Sequence, residues 1–495
     1  MKRILLTLIS AFMVVMLGYS QNIPTIHNED IECSARYYDG NNYQKDLLLY
    51  VDMLKATHPY YAYVKHQEQL DEQVDKMYDE CGCITNDVDF KQYLAVIAAQ
   101  LNDGHTTVPY WTTFTKIFPI KLIINGDASA IIEVSPEDKR ELLGKEVKCI
   151  NGKTIKQILE LARPLVSAEN DANYENNVKE FLMFAEFWSF LGMSNDVMHV
   201  NFTDGSSTEI QAIEKSQLKI VRLQKKNSNK VTAQRGVLFD YTIYEKEGIC
   251  YMQFNQFADR VTHPQHTQLA RFDEFMHDMI AEIKAKDIQT LVVDLQYNGG
   301  GNSQLGDVLL SWLYPHKNTK RYDVDVRMSD LLCTYYPYYH NFIVDGELLK
   351  MGELYDYMEF DHSKEYQIDY SAPQNPARHI LNFDNEQIFN GNVIFIQGEN
   401  SFSSSTLLLT LVRDNSIGII IGEPSGGKPN HYGDVLYCIL PNTGILATVS
   451  HKYFSRPNKA IDEESIIPDV EIELNNPDRD LVWEWIVENY SRSKK

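Results

Sequence analysis

The sequence predicts an α/β protein built around a mostly parallel sheet, with a small helical unit and a β-rich module ahead of it. Three observations point there. Late in the chain, apolar strands alternate with helical stripes: 248–254, then Leu269, Phe272, Met276, Met279, Ile280 and Ile283 at helical spacing, then Thr290-Leu291-Val292-Val293-Asp294-Leu295. Strand, helix, strand in that order calls for a parallel pair with a right-handed crossover, and unbroken apolar strands suit burial on both faces. Residues 46–101 instead show only helical periodicity, and 117–215 contain strand-like runs.

Taken in chain order, residues 1–20 read as a signal peptide: Lys2 and Arg3, an apolar run over 4–17, then Gly18-Tyr19-Ser20 with small residues at the first and third places. The run is short for a membrane span, so we expect export to the periplasm or outside, with no stable span after cleavage. Residues 21–115 form the helical region, with apolar positions at Leu47, Leu48, Tyr50, Val51 and Leu54 and again at Tyr93, Leu94, Val96, Ile97 and Leu101. Residues 116–215 are the β-rich module, opened by the strands 119–124 and 130–134 around Asn125-Gly126. A polar linker, 216–240, leads to the α/β domain, 241–480, and a tail, 481–495. Within that domain we expect a strand near 393–396, a helix over 404–413, a strand at 417–421 and a hairpin over 435–449 turning at Pro441-Asn442-Thr443-Gly444. The acid- and tyrosine-rich stretch 314–386 is long for a connection and is a lid candidate, its Tyr335-Tyr336-Pro337-Tyr338-Tyr339 run facing substrate or packed as a loop.

With 495 residues, 44% apolar and 23% charged, the chain is large enough for several cores and is neither disordered nor a multispan membrane protein. Its formal charge of −23 falls to −25 once Lys2 and Arg3 are lost. That excludes a nucleic-acid partner, which needs clustered Lys and Arg. Seven cysteines imply no disulfide framework, and Cys81-Gly82-Cys83 lacks a second Cys or His pair at zinc spacing, so no metal is expected.

Three late segments each follow a strand, where open α/β sheets carry their reactive groups. In Asp294-Leu295-Gln296-Tyr297-Asn298-Gly299-Gly300-Gly301, three glycines let backbone N–H groups converge on a negative oxygen, although a tight turn looks the same; the dinucleotide pattern fails at Gln304. Gly398-Glu399-Asn400-Ser401-Phe402-Ser403-Ser404-Ser405-Thr406 puts hydroxyls at a helix start, where the dipole stabilises an oxyanion and where serine is also the ordinary N-cap. Gly422-Glu423-Pro424-Ser425-Gly426-Gly427-Lys428-Pro429 has phosphate-loop spacing as far as Lys428, but Pro429 stands where a magnesium-holding hydroxyl is required. Far upstream, Leu101-Asn102-Asp103-Gly104-His105-Thr106-Thr107 supplies a histidine whose meaning depends on its company.

Together "DLQYNGGG", "SFSSS", "IGEPSGGKPNHYGD", "LPNTG", "KYF", "IIPDVEIE" and the upstream "DGHT" resemble the tail-specific, or C-terminal processing, protease family of serine peptidases. The likeness is to the branch of tricorn core proteases and interphotoreceptor retinoid-binding protein, and it covers about 90–475. It implies a crotonase-like α/β core. The "GKEVKCING" run resembles the strand-turn-helix of a degenerate PDZ domain, which implies a strand edge able to pair with an extended peptide. Carried over, Ser403 matches the nucleophile, His105 the base of the tricorn-like branch, and Lys428 the base of the processing-protease branch. Gly300 and Ser404 would lend oxyanion N–H groups, and Glu463 matches the tricorn glutamate that orients the histidine, with Asp414 and Glu464 as alternatives. Gln296, Gly104 and Thr406 depart from the usual Arg, Ser and Glu.

An imidazole is largely neutral at pH 7, whereas a lysine must lose some three pKa units before it accepts a proton, and a polar loop beside Pro429 offers no pocket for that. His105 is therefore the expected base and Lys428 the alternative. The resemblance implies protein or peptide substrates and no cofactor. A competing reading is a peptide- or apolar-ligand-binding protein on the same fold that cleaves nothing. An esterase fits less well, since no G-x-S-x-G elbow surrounds Ser403. Oligomeric state is not legible.

Overall fold

The computed structural model describes residues 23–63, 68–125, 129–223, 236–315, 319–344, 347–357, 379–474 and 480–492. The expected signal peptide, the centre of the linker, the Gly126 turn and 358–378 lie outside them.

Six strands make the core sheet, in the order Val470–Glu471, Ile419–Gly422, Asn392–Gln397, Thr290–Asp294, Ile249–Phe254 and Phe239–Tyr244. All neighbours are parallel except the last pair. Every residue of Thr290–Asp294 and Ile249–Phe254 is buried, as unbroken apolar runs require. Cys250, Met252, Leu291 and Val293 face the helices Phe272–Ala285, Gln304–Ser311 and Ser404–Asp414. Ile249, Tyr251, Val292 and Ile394 face the helix Leu481–Tyr490, so the start of the expected tail, 481–495, is part of the core. Register pairs Asp294 with Ile396 and Gln397 with Gly422, so the three glycine- and serine-rich segments leave the sheet at the same, carboxyl end of its strands.

A four-stranded sheet, Leu354–Asp356, Asp323–Arg327, Leu446–Ser455 and His431–Ile439, is antiparallel throughout. The helices Asn42–Thr57 and Asp87–Ala99 bury Leu47, Leu54, Phe90 and Leu94 in one core with its Leu436, Cys438 and Val449. The tyrosine run belongs here: Tyr339 is buried in that core and Tyr335 donates its hydroxyl to Tyr437 O at 2.8 Å. The front half of the lid candidate is thus packed structure.

The β-rich module carries Lys121–Asn125, Ser129–Pro136, Glu146–Ile150, Val197–Phe202 and Ser207–Gln211 in sequential antiparallel order, with Ile220–Arg222 also pairing with Ser129–Pro136. Its core takes Trp188, Phe187 and Ile158 from helices. Ile155–Ala162 is legible in the sequence; Asp171–Phe181 is not, because asparagines and acids interrupt its apolar spacing, and Ala185–Phe190 is too short to show a helical period. Asp171–Phe181 reaches the core domain through a Lys179–Glu399 ion pair and an Asn176–Asn400 hydrogen bond of 3.1 Å. Among the described residues no helix is long and apolar enough to cross a membrane.

Candidate active site

Ser403 sits between strand and helix with φ 56° and ψ −124°, a backbone region that a non-glycine residue occupies at a cost of roughly 1–3 kcal/mol. The surroundings enforce it. Phe402 N–H donates to Asn298 O at 3.1 Å, Ser401 Oγ to Leu295 O at 2.9 Å, and Leu407 N–H takes Ser403 O into the helix. The glycine loop closes over the turn: a Cβ on Gly300, where φ is +100°, would stand 2.7 Å from Ser403 Cβ. Only glycine leaves room there.

His105 Nε2 lies 2.9 Å from Ser403 Oγ, across 298 positions of sequence. The loop that carries it is sewn to the four-stranded sheet. Thr107 and Thr448 exchange backbone hydrogen bonds, Ser450 N–H donates to Thr106 Oγ1 at 3.0 Å, and Asp103 Oδ1 accepts His105 N–H at 2.9 Å. The ring is stacked between Phe402, with centroids 4.6 Å apart, and His431 at 6.0 Å. Gly104 has a packing reason too. A Cβ there would meet Asn173 Oδ1 at 2.8 Å and the Phe402 ring at 2.9 Å, so a serine would displace Asn173 or Phe402.

Two buried carboxylates face the other ring nitrogen. His105 Nδ1 is 3.1 Å from Glu169 Oε1 and 3.4 Å from Asp103 Oδ1. Both contacts are poorly aligned for a hydrogen bond, so charge attraction carries them. Burial works against the imidazolium, but these two carboxylates outweigh it and raise His105 to about 10. Asp103 is driven the other way: burial opposes its charge, yet His105 and His58 hold it well below the usual carboxylate range. Glu169 enters from the loop just before the helix Asp171–Phe181. Its Oε2 accepts Lys428 N–H at 2.9 Å, and neighbouring Asn170 donates to Glu464 O and Ser465 Oγ.

The other sequence-derived residues are arranged differently. Lys428 Nζ turns outward to Glu464 Oε1 at 2.5 Å, and only its backbone N–H touches the site. Glu463 is not at the imidazole: its Oε1 accepts from Arg456 Nη1 at 2.8 Å, while Asp414 holds the same guanidinium by two hydrogen bonds. A fully buried arginine needs both carboxylates, which removes them from His105. None of the three acids weighed from sequence reaches the ring; Asp103 and Glu169 do. Asp103 was on view two places before His105, whereas nothing in Ser167-Ala168-Glu169-Asn170 signals a role.

One of the two expected oxyanion donors is already engaged. Gly300 N–H, the expected donor, is taken by Asn298 Oδ1 at 2.8 Å. Gly300 O accepts from Phe257 N–H, and a planar trans peptide then turns Gly301 N–H away from Phe257. Gly301 O also points away from Phe257, accepting from Ser404 Oγ at 2.6 Å. Gly301 is thus tied to the serine turn through its carbonyl. Ser404 N–H, at the helix start, has no acceptor within the helix.

His105 Nδ1 and the Asp103 and Glu169 oxygens lie within 4.8 Å of one another, the spread of a metal-binding group. Asp103 already accepts from His105 N–H, His58 Nε2, Thr106 Oγ1 and Ser450 Oγ, which accounts for its charge. A cavity of about 880 Å³ opens on the Glu169 side, lined among others by Tyr60, Arg163, Lys428, His431 and Tyr453.

Residues 248–472 match the family described as Peptidase family S41. No curated protein matches the chain. Among solved structures, mature CPAF complexed with lactacystin is similar at TM-score 0.57 and 14% identity, covering 87% of this chain and 93% of that one. A CPAF mutant aligns at 0.58 and 14%, covering 90% and 98%. The photosystem II D1 C-terminal processing protease aligns at 0.41 and 12%, covering 90% and 97%. At these identities the likeness to CPAF is one of fold.

Proposed function

We propose that this chain, whose residues 248–472 form a peptidase family S41 domain, is an exported serine endopeptidase acting through Ser403 and His105. The observation that carries the reading is the 2.9 Å contact between Ser403 Oγ and His105 Nε2, with carboxylates behind Nδ1. The negative charges on the Nδ1 side favour one tautomer. In the neutral ring the hydrogen sits on Nδ1, towards Asp103 and Glu169, and the Nε2 lone pair meets the serine hydroxyl.

Ser403 Oγ attacks the peptide carbonyl while its proton passes to His105 Nε2. The imidazolium so formed stands against Asp103 and Glu169. The Ser404 N–H group receives the developing oxyanion, aided by the helix start. His105 then gives its proton to the leaving amine, and water repeats the sequence to release the acyl group from Ser403. Lys428 contributes a backbone N–H that steadies Glu169, so its side chain takes no part in the proton transfers. Export rests on the charged and apolar character of residues 1–20. The β-rich module is read as PDZ-like, a strand edge for an extended peptide.

The test is cleavage of denatured protein and of peptides by wild type and by Ser403→Ala, His105→Ala and Lys428→Ala. Ser403→Ala should lose about 10⁴-fold or more in kcat and His105→Ala a comparable amount. Full activity in Ser403→Ala ends the account. Loss in Lys428→Ala with His105→Ala unaffected moves the base to lysine.

A further inference from the structure

A second histidine, His58, is fully buried behind the site and touches none of the reacting atoms. It follows the helix Asn42–Thr57, and its backbone N–H closes that helix on Leu54 O at 2.9 Å. Its ring is fixed at both nitrogens. Nδ1 accepts the Tyr60 backbone N–H at 3.1 Å, which leaves the hydrogen on Nε2, and Nε2 lies 3.0 Å from Asp103 Oδ2. Tyr60, Tyr61 and Tyr432 surround the ring, with Tyr432 closest at 4.6 Å between centroids.

Asp103 thus lies between two imidazoles: Oδ2 accepts from His58, and Oδ1 faces His105. We propose that His58 is a positioning residue for the Ser403–His105 reaction, setting through Asp103 how strongly His105 holds its proton. This rests on the function proposed above. A donor on Oδ2 spreads the carboxylate charge and makes Oδ1 a weaker partner for the imidazolium. Thr106 and Ser450 hydroxyls donate to the same oxygen, and the His58 ring, held by a backbone N–H on its other nitrogen, is the titratable group among these three donors. The charged or titratable groups around His105 are Asp103, Glu169, His431 and, further off, Asp434. Of these, Asp103 is the one that His58 touches.

The experiment compares pH profiles of kcat/KM for wild type, His58→Phe and His58→Gln on one peptide substrate, with Ser403→Ala as the control for the reaction itself. His58→Phe fills the space without a donor. Its acid limb should move up by about one pH unit and kcat should fall about tenfold at neutral pH with KM little changed. His58→Gln, whose amide can donate from nearly the same place, should return the limb towards wild type. An unmoved limb in a folded His58→Phe overturns the proposal while leaving the Ser403 reading intact; activity persisting in Ser403→Ala overturns that reading instead. Should His58→Phe fail to fold, nitrogen-15 NMR of Ser403→Ala at pH 7.5 decides. A protonated Nε2 and bare Nδ1 on His58 support the proposal, and the opposite tautomer refutes it.

Discussion

Replacing Glu169 by Gln removes one charge 3.1 Å from His105 Nδ1 and keeps an acceptor for Lys428 N–H. With an effective dielectric of about 20, that charge favours the imidazolium by about 5 kcal/mol before desolvation is counted. Neighbours at this range shift a pKa by about 1–3 units once burial has taken its share. The sign follows from the proton count. His105 works as a base only when neutral, so kcat/KM rises with pH through its pKa, which the two carboxylates raise to about 10. Glu169→Gln lowers that pKa, and the acid limb should move down by about 1–3 pH units. The same lost attraction weakens the imidazolium formed during attack, so the alkaline plateau should drop by about 10–100-fold. The ratio of variant to wild type therefore falls as pH rises. A quenched fluorescent peptide assayed from pH 5 to 10.5 reads both effects. An acid limb that stays put, or moves up, refutes the idea that Glu169 controls this ring.

Further measurements follow from the same geometry. Lys428→Ala should keep kcat within about tenfold, because the backbone N–H that holds Glu169 survives; a loss beyond about 10³-fold would return the base to lysine. Gly104→Ser, which would recreate a serine beside the histidine, should lower activity, since its Cβ collides with Asn173 and Phe402 and tilts the imidazole; a gain in kcat contradicts the packing. Gly300→Ala should reduce kcat by at least about 10²-fold with far-UV circular dichroism unchanged, because the added carbon presses on Ser403 at a φ that disfavours it. Burial opposes the charge of Asp259, but His379 and the Phe272 and Thr262 N–H groups hold its pKa at about 2. A depressed carboxylate stabilises the fold above the unfolded value of about 3.9, and that contribution, about 2–3 kcal/mol, is lost as pH falls towards 2. The Tm gap between wild type and Asp259→Asn should be widest at pH 6 and narrow to about a third by pH 2.5; a gap independent of pH contradicts it.

The four inner strands of the core sheet were legible because they are buried and carry nearly unbroken apolar runs, whereas the edge strands Phe239–Tyr244 and Val470–Glu471 are half-exposed and carry no such run. Ser403 and the glycine loop were legible for a related reason: both lie where such strands end. His105 was reached by resemblance; the basicity argument that set it above Lys428 assumed an ordinary imidazole, whereas Asp103 and Glu169 raise this ring to about 10, so its contact with Ser403 and not its basicity favours it. The acids were not found, and the reason is physical. An orienting carboxylate is chosen by what folding brings near, and the three weighed from sequence are held by Arg456 or Lys428. Glu169 comes from a loop of the β-rich module whose sequence is ordinary, ahead of a helix too polar to show its period. The Gly300 donor failed on a finer point: a side chain three atoms long, Asn298, reaches back and claims it.

The hydroxyl, the imidazole and one of its acids come from three separately packed parts of the chain, joined near 105, 169 and 403. A growing polypeptide that has made only its first two parts owns a ring and its carboxylates with nothing to activate. An isolated late fragment owns a hydroxyl with no proton acceptor. On the proposed function, cutting power arrives only when the last-synthesised layer closes on the first, so unfinished copies are harmless to the cell that makes them.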